Sequence, residues 1–182
     1  MEWSSRRKAE GERRVEYVKD LFLTESFLVK GHVKTGGKRL TNFLNSVSTP
    51  FIEVNDATLI GLAHGDRIVT ARAMVARNEI LFAHELLESA GDDSQRQLAD
   101  KDSDRAVVNV YIGGRMPIEV SGKMLRKAYQ RKDLGSLEFL VMTEPVIEGL
   151  PSKRGREIAL LKRLPYVAVN RSRIAYVFDY AP

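Results

Sequence analysis

Cysteine is absent from this chain of 182 residues, so disulfides, thiolate metal sites, iron–sulfur clusters and cysteine nucleophiles are excluded. Histidine is scarce: His32, His64 and His84 are the only three. No H-x-x-x-H or H-E-x-x-H pair joins any two of them, so no helix presents a ready metal site. Each reads as a half-exposed polar residue. There is one tryptophan, Trp3. No apolar run approaches the ~18 residues a membrane-spanning helix needs. The polar start, residues 1–14, has no apolar h-region, so no secretory signal is expected and the location predicted is cytoplasmic. The doublets Gly36-Gly37 and Gly113-Gly114 belong to no G-x-G-x-x-G or P-loop pattern, and no serine sits in a G-x-S-x-G elbow. Nucleotide binding and serine hydrolysis have no support, and no cofactor or metal is expected.

What is present is the composition of a globular protein, 43% hydrophobic and 29% charged. The length suits one ordinary domain or two very small ones. The net charge of +5 is unevenly distributed. Residues 1–14 carry +2, residues 15–87 carry 0, residues 88–105 carry −3 and residues 106–182 carry +6. The acidic stretch ESAGDDSQRQLADKDSDR holds one leucine and neither aromatic nor β-branched residues. It buries too little apolar area to offset the cost of ordering it. The boundaries predicted are a flexible basic tail (1–14), a first β module (15–87), an acidic linker (88–105) and a second, basic β module (106–182). The plainer alternative for 88–105 is a long surface loop within one domain.

The two halves carry the same order of motifs. Phe27-Leu-Val-Lys-Gly31 resembles Ile118-Glu-Val-Ser-Gly122. The run from Phe51 to Leu62 resembles the run from Phe139 to Leu150. Val75-Ala-Arg-Asn-Glu-Ile80 resembles Val169-Asn-Arg-Ser-Arg-Ile174. In the first half, Val15–Leu23 and Phe27–Lys34 read as strands around a Thr24-Glu25-Ser26 turn. Lys38–Asn45 reads as a short amphipathic helix with Leu40, Phe43 and Leu44 on one face. Phe51–Leu62 reads as a strand with Phe51, Val54 and Leu59 as core candidates. Arg67–Val75 and Glu79–Leu87 read as a hairpin around Arg77-Asn78. In the second half, Val107–Ile112 and Met116–Ser121 read as a hairpin. Lys123–Arg131 reads as a helix with Leu125 and Tyr129 on one face. Leu137–Leu150 reads as a long strand in which Pro145 marks a bulge or an edge. Ile158–Leu164 and Val167–Phe178 read as the last strands. The fold class expected is mostly β (α+β): two similar small bent β-sheets or barrels, each with one short helix.

The residues Lys38-Arg39-Leu40-Thr41-Asn42-Phe43-Leu44-Asn45, then Phe51-Ile52-Glu53-Val54-Asn55-Asp56-Ala57, resemble an uncharacterised bacterial family of small β-rich domains with the pattern R-L-[ST]-[DN]-F-L-N … F-I-x-V-x-D-A. The ending Pro165-Tyr-Val-Ala-Val-Asn-Arg-Ser-Arg-Ile174 is similar to the ends of its members. The second half departs from the helix motif, with Leu125-Arg-Lys-Ala-Tyr129 in its place. The resemblance implies a small β-rich bacterial module, here in tandem, and no activity.

Candidate chemistry is sparse. Glu53 and Asp56 lie in one strand, and Glu144 takes the equivalent place to Asp56. A bulge or turn role accounts for them better than acid–base work, which needs a pocket. The basic residues of the second half form the one functional slant. Lys123, Arg126, Lys127, Arg131 and Lys132 crowd the predicted helix. Lys153, Arg154 and Arg156 crowd a turn, and Lys162, Arg163, Arg171 and Arg173 lie on the closing strands. Converged on one face, they would attract RNA, single-stranded DNA or another anion, with Tyr129, Tyr166 and Tyr176 as stacking surfaces. The plain alternative is a solvated charged face. Trp3 is a candidate anchor into a protein partner or a cap on the folded body. The function expected is a non-catalytic binding or assembly module, an adaptor or structural subunit that contacts a protein partner or itself. The alternative is a nucleic-acid-binding protein using the basic second module.

Overall fold

The computed structural model describes residues 17–86, 104–130, 137–150 and 156–179. The predicted tail and nearly all of the predicted linker lie outside them. Ten antiparallel strands form one continuous open sheet in the order β10-β6-β7-β8-β9-β5-β1-β2-β3-β4. This corrects the expectation of two separate sheets or barrels. The described residues are mostly β, with three short helices.

In the first half, β1 (Tyr17–Leu23) and β2 (Phe27–Lys34) form a hairpin. It closes at Thr24, whose hydroxyl accepts the Phe27 N–H at 3.0 Å. Helix α1 (Leu40–Ser46) follows, burying Leu40 and Leu44. Then come β3 (Phe51–Gly61), β4 (Arg67–Ala76), a 3-10 turn (Arg77–Glu79) and β5 (Phe82–Glu85). The second half contains β6 (Arg105–Ile112), β7 (Ile118–Leu125), helix α2 (Arg126–Gln130), β8 (Phe139–Glu148), helix α3 (Arg156–Leu161), β9 (Tyr166–Asn170), a 3-10 turn (Arg171–Arg173) and β10 (Ile174–Asp179).

Four sequence expectations are corrected. Phe51 is 49% exposed, whereas Ile52 and Val54 are buried. Side chains alternate along a strand, and the core face here takes the even positions before the bulge at Asp56. Leu125 ends β7 and does not lie on the helix beside Tyr129. The predicted strand Ile158–Leu164 begins inside α3. Arg-Glu-Ile-Ala-Leu-Leu is rich in good helix formers, and Ile158 and Leu161 are buried while Leu160 is exposed, which is a helical and not an alternating pattern. Finally, β4 and β5 are not a hairpin, and neither are β9 and β10. A 3-10 turn corners the chain, so β5 pairs with β1 and β10 pairs with β6. The outer edges of β4 and β10 pair with no other described strand.

Each half therefore runs in the same strand order: β5-β1-β2-β3-β4 in the first and β10-β6-β7-β8-β9 in the second. The halves join where β9 meets β5, with Phe82 opposite Val169 and Ala83 opposite Ala168. Two apolar cores straddle this seam. One combines second-half strands with Leu21, Leu23 and Phe82. The other fills the first half around Phe22, Val29 and Leu44 and takes in Phe139 and Ala168 from the second.

Candidate functional site

A buried polar cluster lies at the seam. Register places Asp20 of β1 directly opposite Glu85 of β5. Both carboxyls are buried, and His84 beside them is buried as well. This corrects the half-exposed reading of that histidine. The Tyr166 hydroxyl of β9 donates to Glu85 Oε2 at 3.2 Å, and its ring meets the His84 ring edge-on at 4.7 Å between centroids. Burial, and secondarily the Glu85 charge, push the Asp20 carboxyl up to about 9, while the Val33 backbone acts in the opposite direction. The Asp20 carboxyl thus holds its proton at neutral pH. Burial pulls His84 down, so the imidazole is neutral. Burial, and then Glu85, push the Tyr166 phenol above its ordinary range.

The cluster sits inside the protein. A cleft of about 610 Å³ is lined by the Thr24–Phe27 turn, by Met74–Ala76 of β4 and by Arg115 and Arg173, and by none of these four residues. Within the cleft Arg173 donates to Glu25, joining the second half's 3-10 turn to the first half's β1–β2 turn. Two asparagines add further stitches. Asn45 of α1 accepts the N–H groups of Glu138 and Phe139 at 2.9 and 2.8 Å and donates to the Phe139 carbonyl at 3.0 Å. Asn170 is buried, donates to the Ile80 carbonyl at 2.8 Å and accepts the Ser172 N–H at 3.0 Å.

The basic residues singled out in the sequence occupy several separate places. Lys123 of β7 pairs with Glu144 at 2.8 Å on the surface. Arg126 of α2 bonds Asp179 of β10 at 3.0 Å, and the Tyr129 hydroxyl donates to the same carboxylate oxygen at 2.6 Å. Lys127 lies on α2, Arg156 begins α3, and Arg171 and Arg173 form the turn at the far end of β10 from Arg126. The ends of β10 are about 17 Å apart at strand rise. Trp3, Arg131, Lys132, Lys153 and Arg154 lie outside the described residues. Of the three tyrosines, only Tyr176 is openly exposed. It stacks on Tyr111 at 4.7 Å and meets Phe178 edge-on at 5.1 Å.

Asp56 and Glu144 are exposed and sit in matching bulges opposite Gly31 and Gly122. Among the described residues no group of three histidine or acidic side chains converges as a metal site, and no helix is long and apolar enough to cross a membrane. The Asp20–Glu85 pair escaped the sequence reading, because two carboxylates far apart in the chain signal nothing until strand register brings them together. The exposed apolar edges escaped it because β4 and β5 were paired with each other. No protein-family model, curated protein or solved structure matches the chain.

Proposed function

We propose that the chain is a tandem of two five-stranded β units of the small bacterial type its motifs resemble, and that it works as a non-catalytic assembly subunit of a protein complex. One observation carries this reading. Among the described residues, the sheet ends on both sides in a strand with no outer partner that bears large exposed apolar side chains: Ile68, Val69 and Met74 on β4, Tyr176 and Phe178 on β10. Unpaired edges are normally blunted by lysine, proline or a covering segment, and neither strand contains lysine or proline. Exposed edges of this kind are templates for strand addition by another chain. The non-catalytic reading is supported by the placement of the acid groups. Among the described carboxyls, Asp20, whose titration is displaced, is buried and does not line the cleft, and Asp56 and Glu144 serve bulges.

The test is affinity capture from native extract with the tagged full-length chain beside a Phe178→Lys variant, each with and without nuclease. A partner retained by the wild type, lost by the variant and indifferent to nuclease supports assembly. Capture that vanishes with nuclease and falls steeply with salt replaces this reading with nucleic-acid binding through the basic half.

A further inference from the structure

Among the described residues, the strands that correspond to β9 and β5 of the seam, β4 and β10, have no outer partner at the two edges of the sheet. Residue equivalence follows from register alone. Val169 of β9 pairs with Leu140 of β8, and Val75 of β4 pairs with Ile52 of β3, so Val75 holds the position of Val169 and Met74 that of Ala168. On the other edge, Phe82 and Ala83 of β5 pair with Leu23 and Phe22 of β1, while Tyr176 and Val177 of β10 pair with Tyr111 and Val110 of β6. Tyr176 therefore holds the position of Phe82, Val177 that of Ala83, Phe178 that of His84 and Asp179 that of Glu85.

The exposures of these counterparts are reversed. Phe82, His84 and Ala168 are 0%, 4% and 1% exposed inside the seam, while Tyr176, Phe178 and Met74 are 47%, 59% and 55% exposed at the edges. The seam residues are covered by the opposing strand, whereas among the edge counterparts Tyr176, Phe178 and Met74 are exposed, Val177 is half-buried and Val75 stays buried. The polar contact transposes too. Where the Tyr166 hydroxyl meets Glu85, the edges offer Arg72 of β4 and Asp179 of β10, opposite charges that would meet across a copied seam.

We infer that a second copy of this chain covers each edge, with β10 of one molecule pairing antiparallel to β4 of the next in the register of the β9–β5 seam. Tyr176 then faces Val75, Val177 faces Met74 and Asp179 approaches Arg72 of the neighbour. The inference rests on the tandem assembly reading and names its partner. The contact is head-to-tail, so each added copy offers a fresh β4 and a fresh β10, and growth stops only when a ring closes. The seam provides the backbone register for this pairing within the molecule, with Ala83 and Ala168 where the copied contact has the larger Val177 and Met74.

Absence of cysteine makes the test clean. Met74→Cys and Val177→Cys are made as single variants of the full chain, co-expressed and mildly oxidised. An Ala83→Cys/Ala168→Cys variant serves as a same-register control within one molecule, because a disulfide requires closely apposed Cα atoms. The expected result is an interchain disulfide joining one Met74→Cys chain to one Val177→Cys chain, none in either variant alone, and a ladder of multimers when both substitutions share a chain. The multimers are rings or filaments, since both arise from the same pairing. No cross-link in the co-expressed pair while the control locks, cross-links within a single variant, or an intrachain bond in the double variant would each overturn it. A monomeric chain whose edges still capture a different protein sinks this inference and leaves the assembly reading standing. A monomer that captures nothing sinks both.

Discussion

Asp56 and Glu144 adopt the same left-handed backbone, φ 48° and 51°, at the same step of β3 and β8. Each lies in a bulge that faces a glycine of the neighbouring strand, Gly31 in one half and Gly122 in the other. A Cβ on Gly31 would lie 2.6 Å from the Asn55 carbonyl oxygen, and one on Gly122 2.8 Å from that of Thr143. The bulge bends the long strand towards its neighbour, and only a glycine lets the backbones approach. Gly31→Ala and Gly122→Ala are each expected to lose about 1–3 kcal/mol through overpacking. That lowers the melting temperature by about 2–4 °C per kcal/mol in a chain of this size. Differential scanning calorimetry reads both. Glu144→Gly should do the reverse and gain up to about 1 kcal/mol by releasing a non-glycine residue from positive φ. It loses only an exposed ion pair with Lys123.

The seam carboxyls set a pH dependence. Burial pushes the Asp20 carboxyl up to about 9 in the folded state from an ordinary 3.8, so the folded state binds the extra proton across that window. Stability from Asp20 is fully present below about 4 and declines as pH rises towards 9. His84 is depressed by burial, so its contribution has the opposite sense and is lost as pH falls through the ordinary histidine range. Asp20→Asn keeps the shape and removes the titrating group. It should raise stability at pH 8–9 by about 1–2 kcal/mol and flatten the alkaline limb of a urea-midpoint profile. An unchanged profile would show that Asp20 ionises freely in the folded protein.

Asn170 binds β9 to the start of β5 from a fully buried position. Asn170→Ala leaves the Ile80 carbonyl without that donor and should cost about 1–3 kcal/mol. Asn45→Ala removes two acceptor contacts and one donor contact to β8, and is expected to cost a similar amount. Both losses should appear in unfolding rate as well as in equilibrium stability, because each ties together residues far apart in the chain. A loss below about 0.5 kcal/mol, the range of surface substitutions away from such features, would contradict the stitching role.

The dispersed basic residues of the second half are expected to add little. Lys127→Glu should leave retention of single-stranded RNA unchanged at about 150 mM salt, where charge-driven contacts are strongly weakened. Filter binding at low and moderate salt measures it. A loss of tight binding in the variant would restore the nucleic-acid reading.

Much of the strand pattern was legible because alternation, glycine doublets and turn residues are local signals. Phe27–Lys34 is read to the residue, and the motif pairs Gly31/Gly122, Phe51/Phe139 and Val75/Val169 occupy equivalent register positions. Pairing across a corner was not legible. Arg77-Asn-Glu and Arg171-Ser-Arg look like hairpin turns in one dimension, yet each steers its chain to a strand formed much earlier. That difference exposes β4 and β10, joins the halves through β9 and β5, and brings Asp20 against Glu85. The helix at 156–161 was misread because Ile, Leu and Ala suit either structure, and only the spacing of Ile158 and Leu161 separates them.

The most direct measurement is the mass of the intact full-length chain in solution at micromolar concentration, by native mass spectrometry or light scattering. The account predicts an assembly of several 20.5 kDa copies that falls to single chains when Phe178 is replaced by lysine, with the far-ultraviolet spectrum retained. A wild-type protein that stays a single chain at those concentrations, or a two-fold dimer that survives the substitution, contradicts it.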